Sequence, residues 1–254
     1  MSPLVAFHCP GKPWDWKNID DCRKCQAPCF GSLDWVEVIW AESFADGDHY
    51  HNDPMVVSVT TALGCLRKAY LQRTVDHAEE PKKLLARVTG THMHRLAEKH
   101  SPDGAEVEFS MVLSRGYTLK GTADKSLPGI VKDWKTCDRV TKGIGGALRI
   151  KEDGSKVHIN CEQLSVYADL KEQVMGEEDV EVLEIVQVAR KDVAVREAYR
   201  VPNALEFVVN RAELLIDALE KGENFLPKEG ADIKFYRSSM CSFCAVRAQC
   251  EQGD

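Results

Sequence analysis

The sequence predicts an α/β fold on three observations. Runs of period-two or near-continuous apolar character, Glu106–Leu113, Tyr117–Thr122, Ile130–Trp134, Val180–Ala189 and Val193–Val201, read as strands. Between them lie stretches whose apolar residues recur at helical spacing: one after Pro54, Leu84–His100, one from Asn160, and one from Pro202 to Lys221 closed by Gly222. The chain, 254 residues long, can bury a full core as one domain or one domain with a small appendage.

Composition narrows the class. The net charge is −7, so no global basic field draws in a polyanion, and any such contact must be local. There is no long uncharged apolar run and no basic-then-apolar leader, which predicts an intracellular protein without a membrane span. Ten cysteines in such a setting suit metal binding better than disulfides.

Residues 1–53 read as a cysteine-rich extension, broken by Pro10, Gly11 and Pro13 and crowded with Trp14, Trp16, Trp35 and Trp40. Cys9, Cys22, Cys25 and Cys29 fall in the order C-x12-C-x2-C-x3-C, enough thiolates for a tetrahedral zinc site; an iron–sulfur cluster would also use four. Residues 54–254 form the main domain. Its first helix carries Leu63, Leu66, Tyr70 and Leu71 on one side, with Ser58, Thr60 or Thr61 as caps and Cys65 inside it. In the next helix His94 and Glu98 are four apart and share a face.

Glu106–Leu113 puts Val107, Phe109, Met111 and Leu113 on one face, and with Tyr117–Thr122 it forms a hairpin whose polar face could bring Glu108 toward the carboxylates that follow. Those carboxylates lie in GTADKSLPGIVKDWK. Asp124 precedes a turn at Leu127-Pro128-Gly129, and Asp133 and Lys135, two apart on the next strand, share a face from which Trp134 points away. Two carboxylates suit Mg2+ or Mn2+, hard cations that keep open water positions, and a lysine beside them can orient or deprotonate a water and offset phosphate charge. The spacing therefore suits phosphodiester chemistry.

The stretch 141–156 mixes Gly143, Gly145 and Gly146 with Lys142, Arg149, Lys151 and Lys156, and reads as a mobile loop able to touch a phosphate backbone. In the helix from Asn160, Gln163 and Tyr167 share a face that could meet a nucleic-acid strand; Asn160 with Gln163 also makes a capping box. The C-terminus carries Cys241, Cys244 and Cys250, three thiolates that need a fourth partner from elsewhere.

Taken together, these motifs resemble the RecB-like branch of the PD-(D/E)XK nucleases, and within it the Cas4-type exonucleases that carry an iron–sulfur cluster. The resemblance covers the chain from about Pro54 onward. It rests on Gly90 with His94, the GTAD ending in Asp124, Asp133-Trp134-Lys135, Gln163 with Tyr167, and Cys65 far upstream of Cys241, Cys244 and Cys250. It implies a mixed central sheet flanked by helices, with His94, Asp124, Asp133 and the Trp134 carbonyl holding Mg2+ or Mn2+. Lys135 would be the catalytic lysine, Gln163 and Tyr167 would face DNA, and the four cysteines would hold a [4Fe-4S] cluster.

The implied activity is a metal-dependent DNA exonuclease or end-processing nuclease acting on single strands or DNA ends, with protein partners in a recombination, repair or CRISPR adaptation complex. The competing reading is a catalytically silent DNA-binding or adaptor subunit. A zinc-helix protease is excluded, since HMHRLAEKH lacks the HExxH arrangement.

Overall fold

The computed structural model describes residues 4–9, 12–25, 37–39, 41, 53–79, 81–145, 147–150, 154–176, 179–222, 226, 244, 246 and 250. Its centre is a mixed six-stranded sheet. β3 (Val56–Ser58), β5 (Ala105–Val112), β6 (Thr118–Leu127), β7 (Ile130–Thr136), β10 (Val182–Ala189) and β11 (Asp192–Ala198) form it, in the path β11-β10-β7-β6-β3 with β5 also on β6. Two contacts are parallel, β7 with β10 and β3 with β6, and the others are antiparallel.

A smaller sheet joins β1 (Leu4–Cys9), β2 (Lys12–Lys17) and β4 (His77–Glu79), so the cysteine-rich first segment shares hydrogen bonds with the chain after Pro54. β8 (Leu148–Ile150) and β9 (Lys156–His158) make a separate hairpin.

Helices cover both faces of the main sheet. α5 (Ile159–Met175) packs over one, and α6 (Ala204–Lys221) packs on α5 with the short helices α2 (Val59–Leu63) and α3 (Leu66–Thr74). α4 (Pro81–His100) lies against the other face of β7: Gly90 approaches Thr136 there, and the His94 ring meets Trp134. Period two puts Asp133 and Lys135 on the opposite side, under α5. A short helix α1 (Ile19–Arg23), capped by Asn18, belongs to the first segment. No helix among the described residues is long and apolar enough to cross a membrane.

The helix expected after Pro54 is two helices. Ser58 caps the first through the Thr61 N–H, and the chain breaks at Gly64 and restarts with Cys65 as the N-cap of α3, so Cys65 is not inside a helix. Arg211 holds this break, donating to the carbonyls of Ala62 and Gly64. α5 starts at Ile159 with His158 as its N-cap, so the Asn160–Gln163 capping box does not form. Nearly every residue of Cys161–Leu170 is buried, its polar members included. Glu162 pairs with Arg149, whose guanidinium lies 3.9 Å from the Phe207 ring centre. Ser165 Oγ accepts the Val201 N–H, and Lys171 Nζ donates to the Leu127 carbonyl at 2.6 Å.

The sheet approaches α5 closely at Gly121, where a Cβ would lie 2.5 Å from Tyr167 Cε1 and 3.0 Å from Val59 Cγ2. Gly121→Ala should therefore destabilise the fold by about 1–3 kcal/mol through overpacking. Thermal denaturation checks this, and an unchanged Tm would mean that α5 and β6 are not in this contact.

Candidate metal centre

β6 and β7 build the site because their ladder is short. They pair at Lys125↔Lys132, Ser126↔Val131 and Leu127↔Ile130, beside the turn, and then part. β7 runs on along β10 to Thr136, while β6 runs on beside β5 and β3. Asp124 and Asp133 are the first residues past the last pair, one on each arm of the fork. Here Asp124 Oδ2 accepts the Trp134 N–H, supplying the acceptor that the parted ladder no longer provides. The structure thus engages the Trp134 amide; the carbonyl's role as a ligand rests on the resemblance alone.

Each arm has its own partners. His94, carried in by α4, places Nδ1 2.9 Å from Asp124 Oδ1. On the α5 side, Asp133 Oδ2 lies 2.7 Å from Lys135 Nζ. Lys135 Nζ donates to Gln163 Oε1 at 3.3 Å, and Gln163 Nε2 donates to Asp133 Oδ1 at 3.4 Å, closing a ring of three side chains. Asp124 and Asp133 are both buried, at 5% and 3% exposure, so neither is a solvated turn carboxylate.

A further carboxylate, Glu106, joins His94 and Asp124. His94, Glu106 and Asp124 offer ligand atoms that all lie within 4.8 Å of one another. Glu108, which the sequence allowed near the carboxylates as an alternative to a solvated strand face, lies on the solvated face and pairs with Lys120. The hairpin register holds the signal for Glu106: with Leu113 bonded to Tyr117, counting back along both strands sets residue 106 opposite residue 124. Glu106 also has a left-handed φ of 49°, at a cost on the order of 1–3 kcal/mol for a non-glycine residue. Strain of this kind is retained where surrounding structure fixes a side chain for use.

The electrostatics show a site short of positive charge. The Asp124 hydrogen bond raises the His94 pKa, winning against burial. Burial, and then the Asp124 charge, push the Glu106 carboxyl up. Burial pushes Asp133 up too, against the pull of Lys135, with Asp124 adding to the push. Burial alone would lower the Lys135 ammonium, but Asp133 and then Asp124 more than offset it, so Lys135 is held protonated. Oxygen donors with one imidazole are the donor set of a hard divalent cation, which relieves this crowding. The residues therefore fit Mg2+ or Mn2+.

Other expected site residues fare differently. Gln163 and Tyr167 do share a face, but it is turned inward. Tyr167 is 2% exposed, its ring packs against Phe109, and its hydroxyl accepts from Gln163 Nε2 at 2.7 Å. It therefore cannot present a stacking face to DNA, and Gln163 serves Asp133 and Lys135 instead. Arg149 is likewise committed to Glu162.

Cys65 Sγ accepts the Lys68 N–H at 3.5 Å, and Arg67 Nη2 donates to the Cys250 carbonyl at 3.3 Å, which brings the tail to the start of α3. Cys250 and Cys244 pack against the main core. Cys22 packs with Phe7, Ile39 and Leu84, and its carbonyl accepts the Cys25 N–H. Cys29 and Cys241 lie outside the described residues. Among the described residues neither cysteine set, Cys9 with Cys22 and Cys25 or Cys65 with Cys244 and Cys250, gathers its sulfurs within 4.8 Å.

Comparison with solved structures bears on this architecture. The chain superposes on the crystal structure of SSO0001 with a TM-score of 0.54 at 17% identity, covering 87% of this chain and 97% of that one. The two share a fold. At this identity the likeness extends to the fold alone. The crystal structure of a "Putative exonuclease" from Eubacterium rectale gives a TM-score of 0.35 at 16% identity, covering 63% of this chain and 60% of that one, and carries no argument at that level. No protein-family model and no curated protein matches the sequence.

Mn2+ at about 100 times its Kd should stabilise the protein by about 2.7 kcal/mol, measured as a shift in Tm. Asp124→Asn should abolish the shift. Glu106→Gly should relieve the left-handed φ and keep or raise the metal-free Tm while weakening the response to Mn2+. A full Mn2+ response from both variants would show that the ion binds elsewhere.

Proposed function

We propose that the protein is a metal-dependent nuclease, a DNA exonuclease or end-processing enzyme that hydrolyses phosphodiester bonds at the fork of β6 and β7. The observation that carries this reading is the grouping of His94, Glu106 and Asp124, whose ligand atoms lie within 4.8 Å of one another, at a strand fork whose other arm carries the buried Asp133 beside Lys135. The order of motifs along the sequence supports it.

His94, Asp124 and Glu106, with Asp133 as the motif order implies, would hold Mg2+ or Mn2+, which would supply a Lewis acid and a water of lowered pKa. The chain's own groups do the rest. Asp133 keeps Lys135 charged, so its ammonium orients the attacking water and offsets charge on the scissile phosphate rather than taking the first proton. Gln163 fixes both Asp133 and Lys135 against rotation. Burial of Asp133 under α5 and of Asp124 on the α4 side removes competing water and strengthens each of these interactions.

The cysteines complete the proposal. Cys65, Cys241, Cys244 and Cys250 are assigned to a [4Fe-4S] cluster, supported by the Cys250–Arg67 contact at the start of α3. Zinc at Cys9, Cys22, Cys25 and Cys29 would need four sulfurs to converge to roughly 4 Å from one another. DNA is the proposed partner, with recombination, repair and CRISPR adaptation complexes as settings for protein partners.

End-labelled single- and double-stranded DNA with Mn2+ tests the activity. Lys135→Ala should still bind Mn2+ and DNA yet cut about 100-fold more slowly or worse. Iron content of the same preparations, about four per chain and lost in Cys65→Ala, tests the cluster. A wild-type protein that binds Mn2+ and DNA but cuts neither substrate would leave the adaptor reading in place.

A further inference from the structure

Lys135 has a neighbour that the proposed chemistry does not use. Gln187 is its register partner on the parallel strand β10, so both side chains rise from the same face near the carboxyl ends of adjacent strands. Gln187 is 3% exposed and spends its amide on the loop that follows β7. Its Oε1 accepts the Thr141 N–H at 2.8 Å, and its Nε2 donates to the carbonyls of Gly143 and Ile144, both at 2.8 Å. Arg196 Nη2 donates to the Thr141 carbonyl at 2.8 Å, and Ile144 packs against the main core. The segment expected to be a mobile loop is therefore fastened, over 141–144, beside the lysine.

The fastened loop carries charge. Arg139 and Lys142 are exposed on it, and Arg190 and Lys191 are exposed at the β10–β11 turn, three and four residues past Gln187. Among the described residues none of the four makes an ion pair. Asp138 and Asp192 lie in the same two segments, so four cations against two anions leave a local excess of +2 in a chain whose net charge is −7. In open α/β sheets ligands bind outside the carboxyl ends of the strands. Exposed cations held on rigid backbone there lose little freedom when they meet a polyanion.

We infer that the carboxyl ends of β7 and β10 form a phosphate-binding rim that lays a nucleic-acid strand against Lys135, and that Gln187 is the positioning residue that sets it. The rim deepens the nuclease reading by naming the backbone contacts of the substrate. It also supplies the contact surface that the buried Tyr167 cannot.

The test measures binding of the full-length protein to a labelled oligonucleotide across a salt series, together with steady-state cleavage. Each phosphate contact contributes roughly 0.7–0.9 to the slope of log K against log salt. Arg139→Gln with Lys142→Gln should lower that slope by about one to two. KM should rise several-fold, with kcat at saturating DNA and the Mn2+ response unchanged, and with Tm unchanged because both side chains are exposed. Gln187→Ala should reproduce the rise in KM and the fall in slope although it removes no charge. A packing role alone would lower Tm and leave the slope intact.

An unchanged slope and KM in the double variant overturn the rim, and so does Gln187→Ala with lowered Tm and an unchanged slope. A wild-type protein that binds with the full slope, loses it in the variants and cuts nothing would keep the rim and overturn the nuclease reading.

Discussion

The structure depends on one interruption, the parting of β6 from β7 after three pairs. An uninterrupted ladder would satisfy the Trp134 N–H with a backbone carbonyl and leave no space between Asp124 and Asp133. Because the strands part, Asp124 must turn in to meet that N–H, and the two carboxylates meet the opening from different arms. The parting is held from outside. Parallel pairing with β10 fixes β7, while β5 and β3 fix β6. Two helices then close on the opening from opposite faces, α4 bringing His94 and α5 bringing Gln163.

This arrangement concentrates like charge where water is scarce. A buried carboxylate is costly unless paired, and the two here are paired minimally, Asp124 with His94 and Asp133 with Lys135. Glu106 adds a third at the price of a left-handed backbone. Such a cluster does not stabilise a fold, and its ligand atoms are close enough together that a cation could use it. The rest of the sheet carries the stability through Gly121 against Tyr167, the apolar length of α5, and the Arg211 clamp on the α2–α3 break.

Much of this was legible in the sequence because it is local. Leu127-Pro128-Gly129 marks the turn, and period two puts Asp133 and Lys135 on one face. The α/β alternation gives the strands and helices in order. What was not legible depends on partners distant in sequence. Helical spacing correctly puts Gln163 and Tyr167 on one side of α5, but whether that side meets solvent or sheet is decided by Gly121 and Phe109, more than forty residues earlier.

Arg149 reads as a loop cation until Glu162 and Phe207 are seen around it, and Gly143 reads as mobility until Gln187 is seen holding its carbonyl. Glu106 was within reach, since the hairpin register alone sets it opposite Asp124. The break at Gly64 that makes Cys65 a helix cap is set by tertiary contacts with Arg211.

The central claim is that the fork is a metal site, and anomalous X-ray diffraction from Mn2+-soaked crystals addresses it without reference to any substrate. The account predicts a manganese peak between the arms of β6 and β7, bonded to carboxylate oxygens of Asp124 and Asp133 and to the His94 imidazole. Manganese found only elsewhere, with Asp124 still on His94 and Asp133 still on Lys135 at saturating Mn2+, would contradict it.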